Sequence, residues 1–140
     1  MGDLKAFITG GRNEITGYIC LSKSDGTVEM QERAKMLCER QEHAICCVGT
    51  SQIIASGGES LTGLSTAELY DLRLNSWKML PKLNVGRSCH ASCSIERQIF
   101  VICGMCQAEK NSIECLDLDH LAKGWELILL DISPRSYLTA

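Results

Sequence analysis

Cysteines and histidines are the residues of this 140-residue chain that could bind a metal or act as nucleophiles. Three pairs of them have the two-residue separation found in zinc ligands: His43–Cys46, His90–Cys93 and Cys103–Cys106. Residues i and i+3 of a β-strand point to opposite faces, so a His-x2-Cys pair on a strand cannot hold one ion. No second Cys-x2-Cys accompanies the third pair. We therefore predict no metal and no cofactor, with the cysteines filling tight apolar positions.

Nucleophilic and acid–base chemistry is weakly represented. Cys89 adjoins His90, but neighbours on a strand face opposite ways, so adjacency does not make a Cys–His dyad. Glu14, Glu59 and Glu109 are scattered through predicted loops and form no recognisable acid–base pair. The Gly-Gly pairs lack the Gly-x-Gly-x-x-Gly pattern that opens a phosphate-binding helix. We predict no catalytic residues.

Composition and charge exclude several classes of partner. There are 14 Lys and Arg against 17 Asp and Glu, a net charge of −3, which argues against binding nucleic acid. No apolar run approaches the roughly 20 residues of a membrane helix, so we expect no membrane partner. The nine cysteines are an odd number, and the opening residues show no export signal, which favours free thiols in the cytoplasm.

A repeat of about 47 residues organises the chain. The last glycines of 7–11, 54–58 and 101–104 are 47 and 46 residues apart. Met30, Trp77 and Trp125 recur at intervals of 47 and 48, and Arg40, Arg87 and Arg135 do the same. Several landmarks recurring in one order indicate a repeat architecture.

Each repeat reads as β-structure. The apolar segments predict a first strand at 43–48 and 90–95, a second at 53–55 and 99–102, a third at 67–70 and 113–116, and a fourth at 77–80 and 125–128. The stretch from Gln31 to Gln41 has apolar residues at helical spacing and predicts a helical turn or two within a connecting loop. Four strands in 40–50 residues is the pattern of a propeller blade.

The landmarks together resemble a kelch repeat. The residues that carry the resemblance are Gly57-Gly58, Glu68-Leu69-Tyr70-Asp71, Trp77, Leu80-Pro81 and Arg87-Ser88-x-His90-Ala91. The resemblance is best over 43–86, fair over 87–130 and weak over 4–42. The sequence departs from the kelch pattern where Met30 replaces tryptophan, Cys103 the first glycine and Leu116 tyrosine.

The resemblance implies an all-β fold: a partial β-propeller of about three four-stranded antiparallel blades. A single domain would hold repeats at about 4–39, 40–86 and 87–134, with 135–140 starting a further strand. It also implies structural landmarks, the tryptophans and Tyr70 packing between blades and the glycines ending strands: Gly10, Gly11, Gly57, Gly58, Gly104, Tyr70, Trp77 and Trp125.

The loops after the second strands vary in sequence around a constant frame, as a recognition surface does. Their residues and the repeated arginines are the candidates for partner contact: Arg12, Asn13, Arg40, Glu59, Arg87, Glu109 and Lys110. For Arg40 and Arg87, tying loops down is the alternative role.

The function expected is protein–protein interaction through these loops. The resemblance implies, in particular, substrate recognition within a ubiquitin-ligase adaptor or binding to actin. The alternative is a propeller enzyme, such as an oxidase or epimerase, with its site at the central channel.

Three blades do not close a ring, since propellers have four to eight. The first strand of the opening blade is missing, because 5–9 reads as a second strand. Either the chain is part of a longer propeller, or two copies join as a homodimer, each 135–140 segment supplying the strand missing from the other. In both cases the isolated chain is expected not to be a compact, stable monomer.

Overall fold

The computed structural model describes residues 5–9, 17–22, 25–59, 64–105 and 111–131. These residues form three antiparallel sheets, which confirms the all-β prediction. The first sheet contains β1 (Lys5–Thr9), β2 (Gly17–Ser22) and β3 (Val28–Arg33). The middle sheet contains β4 (Ala44–Val48), β5 (Gln52–Ser56), β6 (Ala67–Asp71) and β7 (Ser76–Met79). The third contains β8 (Ala91–Ile95), β9 (Gln98–Ile102), β10 (Ser112–Asp117) and β11 (Glu126–Leu129).

Every strand pairs with the strand next to it in sequence, and the register repeats from sheet to sheet. In the middle sheet Ile53 lies opposite Tyr70, and Tyr70 lies opposite Trp77. In the first sheet Ala6 lies opposite Cys20, and Cys20 lies opposite Met30. A three-residue row across one sheet therefore has a direct counterpart in the others.

The segment from Gln31 to Gln41 was predicted to contain helical turns, and that prediction is wrong. Gln31 and Arg33 are the last part of β3, and residues 34–43 have no helical structure. Three of the apolar residues at helical spacing lie in this connection: Ala34 and Cys38 are half-buried, and Leu37 is exposed. The helical spacing was a coincidence between an edge strand and the loop after it. The short 3-10 turn at Leu121–Lys123 was not predicted.

Two apolar layers hold the sheets together. Residues of the middle and third sheets form the larger layer, with Ile54, Leu69, Ile99 and Leu116 nearly or fully buried. Phe7 from the first sheet packs against the second layer, which is built on the other face of the middle sheet: Met36, Ile53, Ala55, Tyr70 and Trp77. The middle sheet is thus covered on both faces, in keeping with the continuous burial along β5 and β6.

Glycines end β5 and β9 where the backbone turns tightly against its neighbours. Gly57, Gly58 and Gly104 have φ values of 62°, 128° and 97°, which side chains rarely adopt. Cys103 occupies the position equivalent to Gly57 and has a φ of 53°, so the substituted thiol residue keeps the glycine-type backbone. Gly10 and Gly11 lie outside the described residues.

Gly57→Ala is expected to destabilise the fold much more than Gly49→Ala. Both glycines are left-handed, with φ values of 62° and 58°, so both variants carry a backbone cost of about 1–2 kcal/mol. A methyl group at Gly57 would lie 2.4 Å from the Arg87 carbonyl oxygen and 2.5 Å from His90 Cε1, whereas nothing lies within 4 Å at Gly49. We expect the difference in unfolding free energy, measured in urea, to be about 2–3 kcal/mol. Equal costs would contradict the close approach at Gly57.

Candidate functional site

The loops that leave β3, β5, β7 and β9 lie at one end of the sheets, which we call the loop end. Within the described residues it comprises 34–43, 57–59, 64–66, 80–90 and 103–105. Backbone hydrogen bonds join these loops to one another: Gly58 donates to the Arg87 carbonyl at 2.9 Å, and Glu59 donates to the Gln41 carbonyl at 2.7 Å. The loop end is therefore a single bonded surface rather than a set of independent loops.

Arg40 anchors the part of the loop end above the middle sheet. Its guanidinium donates to the carbonyls of Gly57 (2.7 Å) and Thr66 (2.9 Å). It also donates to Glu68 Oε1 at 2.6 Å, and both side chains of this ion pair are 0% exposed. The Glu68 carboxylate accepts from the backbone N–H groups of Leu37 and Cys38. One buried pair thus fixes the loop after β3 and the loop after β5.

Arg87 does the same above the third sheet. Its guanidinium donates to the carbonyls of Cys103 (2.7 Å) and Ser112 (3.3 Å) and to Glu114 Oε1 at 2.8 Å. The Glu114 carboxylate accepts from the backbone N–H groups of Asn84 and Val85, at 2.6 and 3.1 Å. The middle and third sheets therefore contain equivalent buried ion pairs, Arg40–Glu68 and Arg87–Glu114. We call each pair, with the loop groups bonded to it, an Arg–Glu device.

This placement corrects the prediction that Arg40 and Arg87 contact a partner. A guanidinium that is fully enclosed and bonded to carbonyls and a carboxylate cannot reach a second protein, so the loop-tying alternative is the one that fits. Sequence reasoning missed Glu68 and Glu114 as the residues completing the device. The available signal was a charged residue recurring 46 positions apart in strands otherwise read as buried.

The exposed residues of the loop end include acidic and sulfur-containing side chains. Glu42 and Cys89 lie at equivalent positions, both left-handed at φ values of 54° and 50°, and Cys89 Sγ lies 3.0 Å from Glu42 Oε2. Glu59 is exposed and accepts a hydrogen bond from the Gln41 side chain. Met105 is also exposed. Left-handed non-glycine residues are concentrated at sites where surrounding structure over-determines the backbone.

Four of the predicted partner-binding residues lie outside the described residues: Arg12, Asn13, Glu109 and Lys110. The same holds for Cys106 and for the segment 135–140. Of the predicted contact residues, Glu59 alone is both described and exposed.

The aromatic landmarks lie in the layers between sheets. The Trp77 ring centroid is 5.0 Å from that of Tyr70 and 6.2 Å from that of Phe7, and its indole N–H donates to the Ala34 carbonyl at 2.9 Å. The Trp125 indole N–H donates to the Pro81 carbonyl at 2.8 Å in the other layer. Each indole thus ties the connection before its own sheet to the apolar layer.

His43 and His90 lie immediately before β4 and β8, and each belongs to a His-x2-Cys pair at which the sequence predicted no metal site. Ser56 Oγ and His90 Nε2 lie 3.1 Å apart, but Ser56 is fully buried and His90 nearly so, which prevents a substrate from reaching the pair. Among the described residues no three His, Cys, Asp or Glu side chains form a metal-binding group. Burial, followed by the charge of Arg87, lowers the pKa of His90 to about 3. Burial lowers the pKa of His43 to about 4, and the Arg40 charge acts in the same direction.

Acidification is therefore expected to destabilise the chain through His90. A pKa of about 3 in the folded state, against 6.5 for an ordinary histidine, means that only the unfolded state gains the proton as the pH falls below 6.5. Above pH 6.5 this histidine leaves the free energy of unfolding independent of pH. Below pH 6.5 the free energy of unfolding falls by about 1.4 kcal/mol per pH unit for each such histidine, until the pH reaches the folded-state pKa. The free energy of unfolding is measured by urea melts at several pH values between about pH 6 and about pH 4. Its slope against pH should be smaller by about that amount in His90→Asn than in the wild type. An unchanged slope would contradict this assignment.

No family model matches the chain, and no curated protein matches it. Among solved structures, one described as "Structure of YjhT" superposes on 94% of this chain with a TM-score of 0.81 at 11% sequence identity. The match covers 50% of that chain, so this sequence spans half the length of its structural neighbour. At this identity the likeness concerns the fold. Separately, none of the helical segments in the described residues has the length and hydropathy needed to cross a membrane.

Proposed function

We propose that this chain is a protein-interaction module in which a kelch-like, propeller-type array of sheets presents the loop end to a protein or peptide. The observation that carries the proposal is the pair of buried Arg–Glu devices. They hold the loops of two sheets in fixed positions while leaving Glu42, Glu59 and Met105 at the surface. Loops carried on a rigid scaffold are a common way to build a recognition surface.

The chemistry of the surface favours a polar or basic partner segment. Glu42 and Glu59 supply carboxylates, and Met105, which is 47% exposed, supplies an adaptable apolar contact. Carboxylates and an exposed methionine on the same loop end suit a peptide with a Lys or Arg beside an apolar residue. Substrate recognition in a ubiquitin-ligase adaptor and actin binding are the two roles that the kelch resemblance adds to this proposal.

A matched pair of charge reversals tests the loop end. Glu42→Lys changes it, whereas Glu96→Lys changes an exposed glutamate with the same φ of 54° in the β8–β9 turn at the opposite end of the sheets. Proteins retained from a cell extract by the immobilised chain are identified by mass spectrometry. We expect specific partners to be kept by Glu96→Lys and lost from Glu42→Lys. Loss from Glu96→Lys alone, or from neither variant, would contradict the proposal.

We further propose a cytoplasmic location, because the number of cysteines is odd and the buried thiols are unreactive. Cys46 and Cys103 are buried, and burial raises the pKa of Cys46 to about 11, which keeps that thiol protonated and inert. Peptide mapping under non-reducing conditions is expected to recover all nine cysteines as thiols. Two or more disulfides in the native protein would overturn this location.

A further inference from the structure

The third sheet carries an apolar face that repeats, position by position, a face buried in the middle sheet. In the middle sheet the row Cys46, Ile54 and Leu69 and the row Ser56, Ala67 and Leu80 are covered by the third sheet. The equivalent rows of the third sheet share the same register: Cys93, Phe100 and Cys115, then Ile102, Ile113 and Ile128. The third sheet therefore presents the same kind of packing surface, with isoleucines in place of Ser56 and Ala67.

This face is uncovered within the described part of the chain. Ile128 is 40% exposed, whereas its counterpart Leu80 is 5% exposed. Ile95 is 63% exposed, whereas its counterpart Val48 is 4% exposed. Contiguous apolar surface of this kind marks an interaction site, and its register is the one that packs against another sheet inside the chain.

The first sheet carries the complementary half. Its row Ala6, Cys20 and Met30 points away from the middle sheet, since Phe7 on the alternate face packs toward that sheet. The equivalent row of the middle sheet is Ile53, Tyr70 and Trp77, which packs against the first sheet. Met30 is 59% exposed, whereas Trp77 is 8% exposed. The chain forms this kind of interface twice, between the first and middle sheets and between the middle and third sheets. The uncovered faces of the two outer sheets are the two sides of a third interface of the same kind.

We infer that two copies of this chain associate head to tail, the third sheet of each packing on the first sheet of the other. The occupant is a second copy because both complementary faces are carried by the same chain, in the order and register of the internal interfaces. Such an interface joins different surfaces, and when applied twice about a two-fold axis it closes a ring of six sheets. Six lies within the range that closed propellers use.

Sedimentation equilibrium of the 140-residue chain at micromolar concentration tests the association. The expected mass is twice the 15.4 kDa of the single chain. Ile95→Lys places a charge on the uncovered face of the third sheet, and Met30→Lys places one on the uncovered face of the first sheet. Each variant is expected to weaken dimerisation by at least about tenfold. Leu74→Lys is the control, because Leu74 is 75% exposed but lies in the turn after β6, away from both faces.

Mixing the two charged variants separates head-to-tail packing from packing of one face on itself. A mixed dimer of Ile95→Lys and Met30→Lys contains one interface with both charges and one unchanged interface, so the mixture should dimerise more tightly than either variant alone. Urea melts check that each variant is folded. A folded wild-type monomer, full dimerisation of Met30→Lys alone, or equal dissociation of Leu74→Lys would each overturn the inference.

Discussion

Glu114→Gln is expected to lower the free energy of unfolding by about 3–5 kcal/mol, because it leaves the Arg87 guanidinium buried without a counter-charge. Both side chains of the Arg87–Glu114 pair are 0% exposed, and Glu114 also accepts from the N–H groups of Asn84 and Val85. The measurement is a urea or guanidinium melt at neutral pH. Glu68→Gln should have an effect of the same size, since its bonds to Arg40 are equivalent.

The control for this prediction is the exposed pair Arg97–Asp119. It has a comparable separation of 2.7 Å, but its side chains are 49% and 57% exposed. Asp119→Asn is therefore expected to cost less than about 1 kcal/mol. If Glu114→Gln cost no more than Asp119→Asn, the buried pair would not be holding the loop end. The proposal that a rigid scaffold supports the recognition surface would then have no basis.

Trp77→Ala is expected to cost about 3–5 kcal/mol, because it removes a large side chain from the layer between the first and middle sheets. The indole contacts the rings of Tyr70 and Phe7 and donates to the Ala34 carbonyl. Its loss leaves a cavity and an unpaired carbonyl in the same place.

Trp77→Phe separates these two contributions. It retains most of the apolar area but removes the indole N–H, so we expect a cost between those of the wild type and Trp77→Ala. Denaturant melts with far-UV circular dichroism as the signal avoid dependence on tryptophan fluorescence. A cost below about 1 kcal/mol for Trp77→Ala would mean that the layer does not depend on this residue.

Local sequence pattern was enough to locate the strands of the middle and third sheets. The apolar runs at Ile53–Ala55 and Ile99–Ile102 lie within β5 and β9, and the glycines after them mark where those strands end. These features are local. β5 is buried on both faces, and such a strand is apolar at consecutive positions, whereas β9 has the same kind of apolar run although Phe100 and Ile102 are half-buried. The predicted opening strand at 5–9 coincides with β1.

The loop end could not be predicted in the same way, because its bonds join residues far apart in sequence. Arg40 meets Glu68 across 28 residues, and Arg87 meets Glu114 across 27. Arginine is normally exposed, so the recurring Arg40 and Arg87 were placed among the candidates for partner contact, with tying loops down as the alternative. The edge strand β3 was misread for a related reason: its Glu, Gln and Arg residues obscure the alternation of a strand, and Leu37 and Cys38 beyond it imitate a helix.

The covering of the middle sheet on both faces sets the order in which a single copy of the chain should open. Ile54, Ala55, Ala67 and Tyr70 are fully buried there, while each outer sheet has one uncovered face. Because every strand pairs only with its sequence neighbours, an outer sheet can detach without breaking a backbone bond between strands of another sheet. Amide hydrogens of β5 and β6 should then exchange with solvent only on global unfolding, and those of β1 to β3 earlier. Detachment of the first sheet would bare Tyr70 and Trp77 before the rest of the chain unravels.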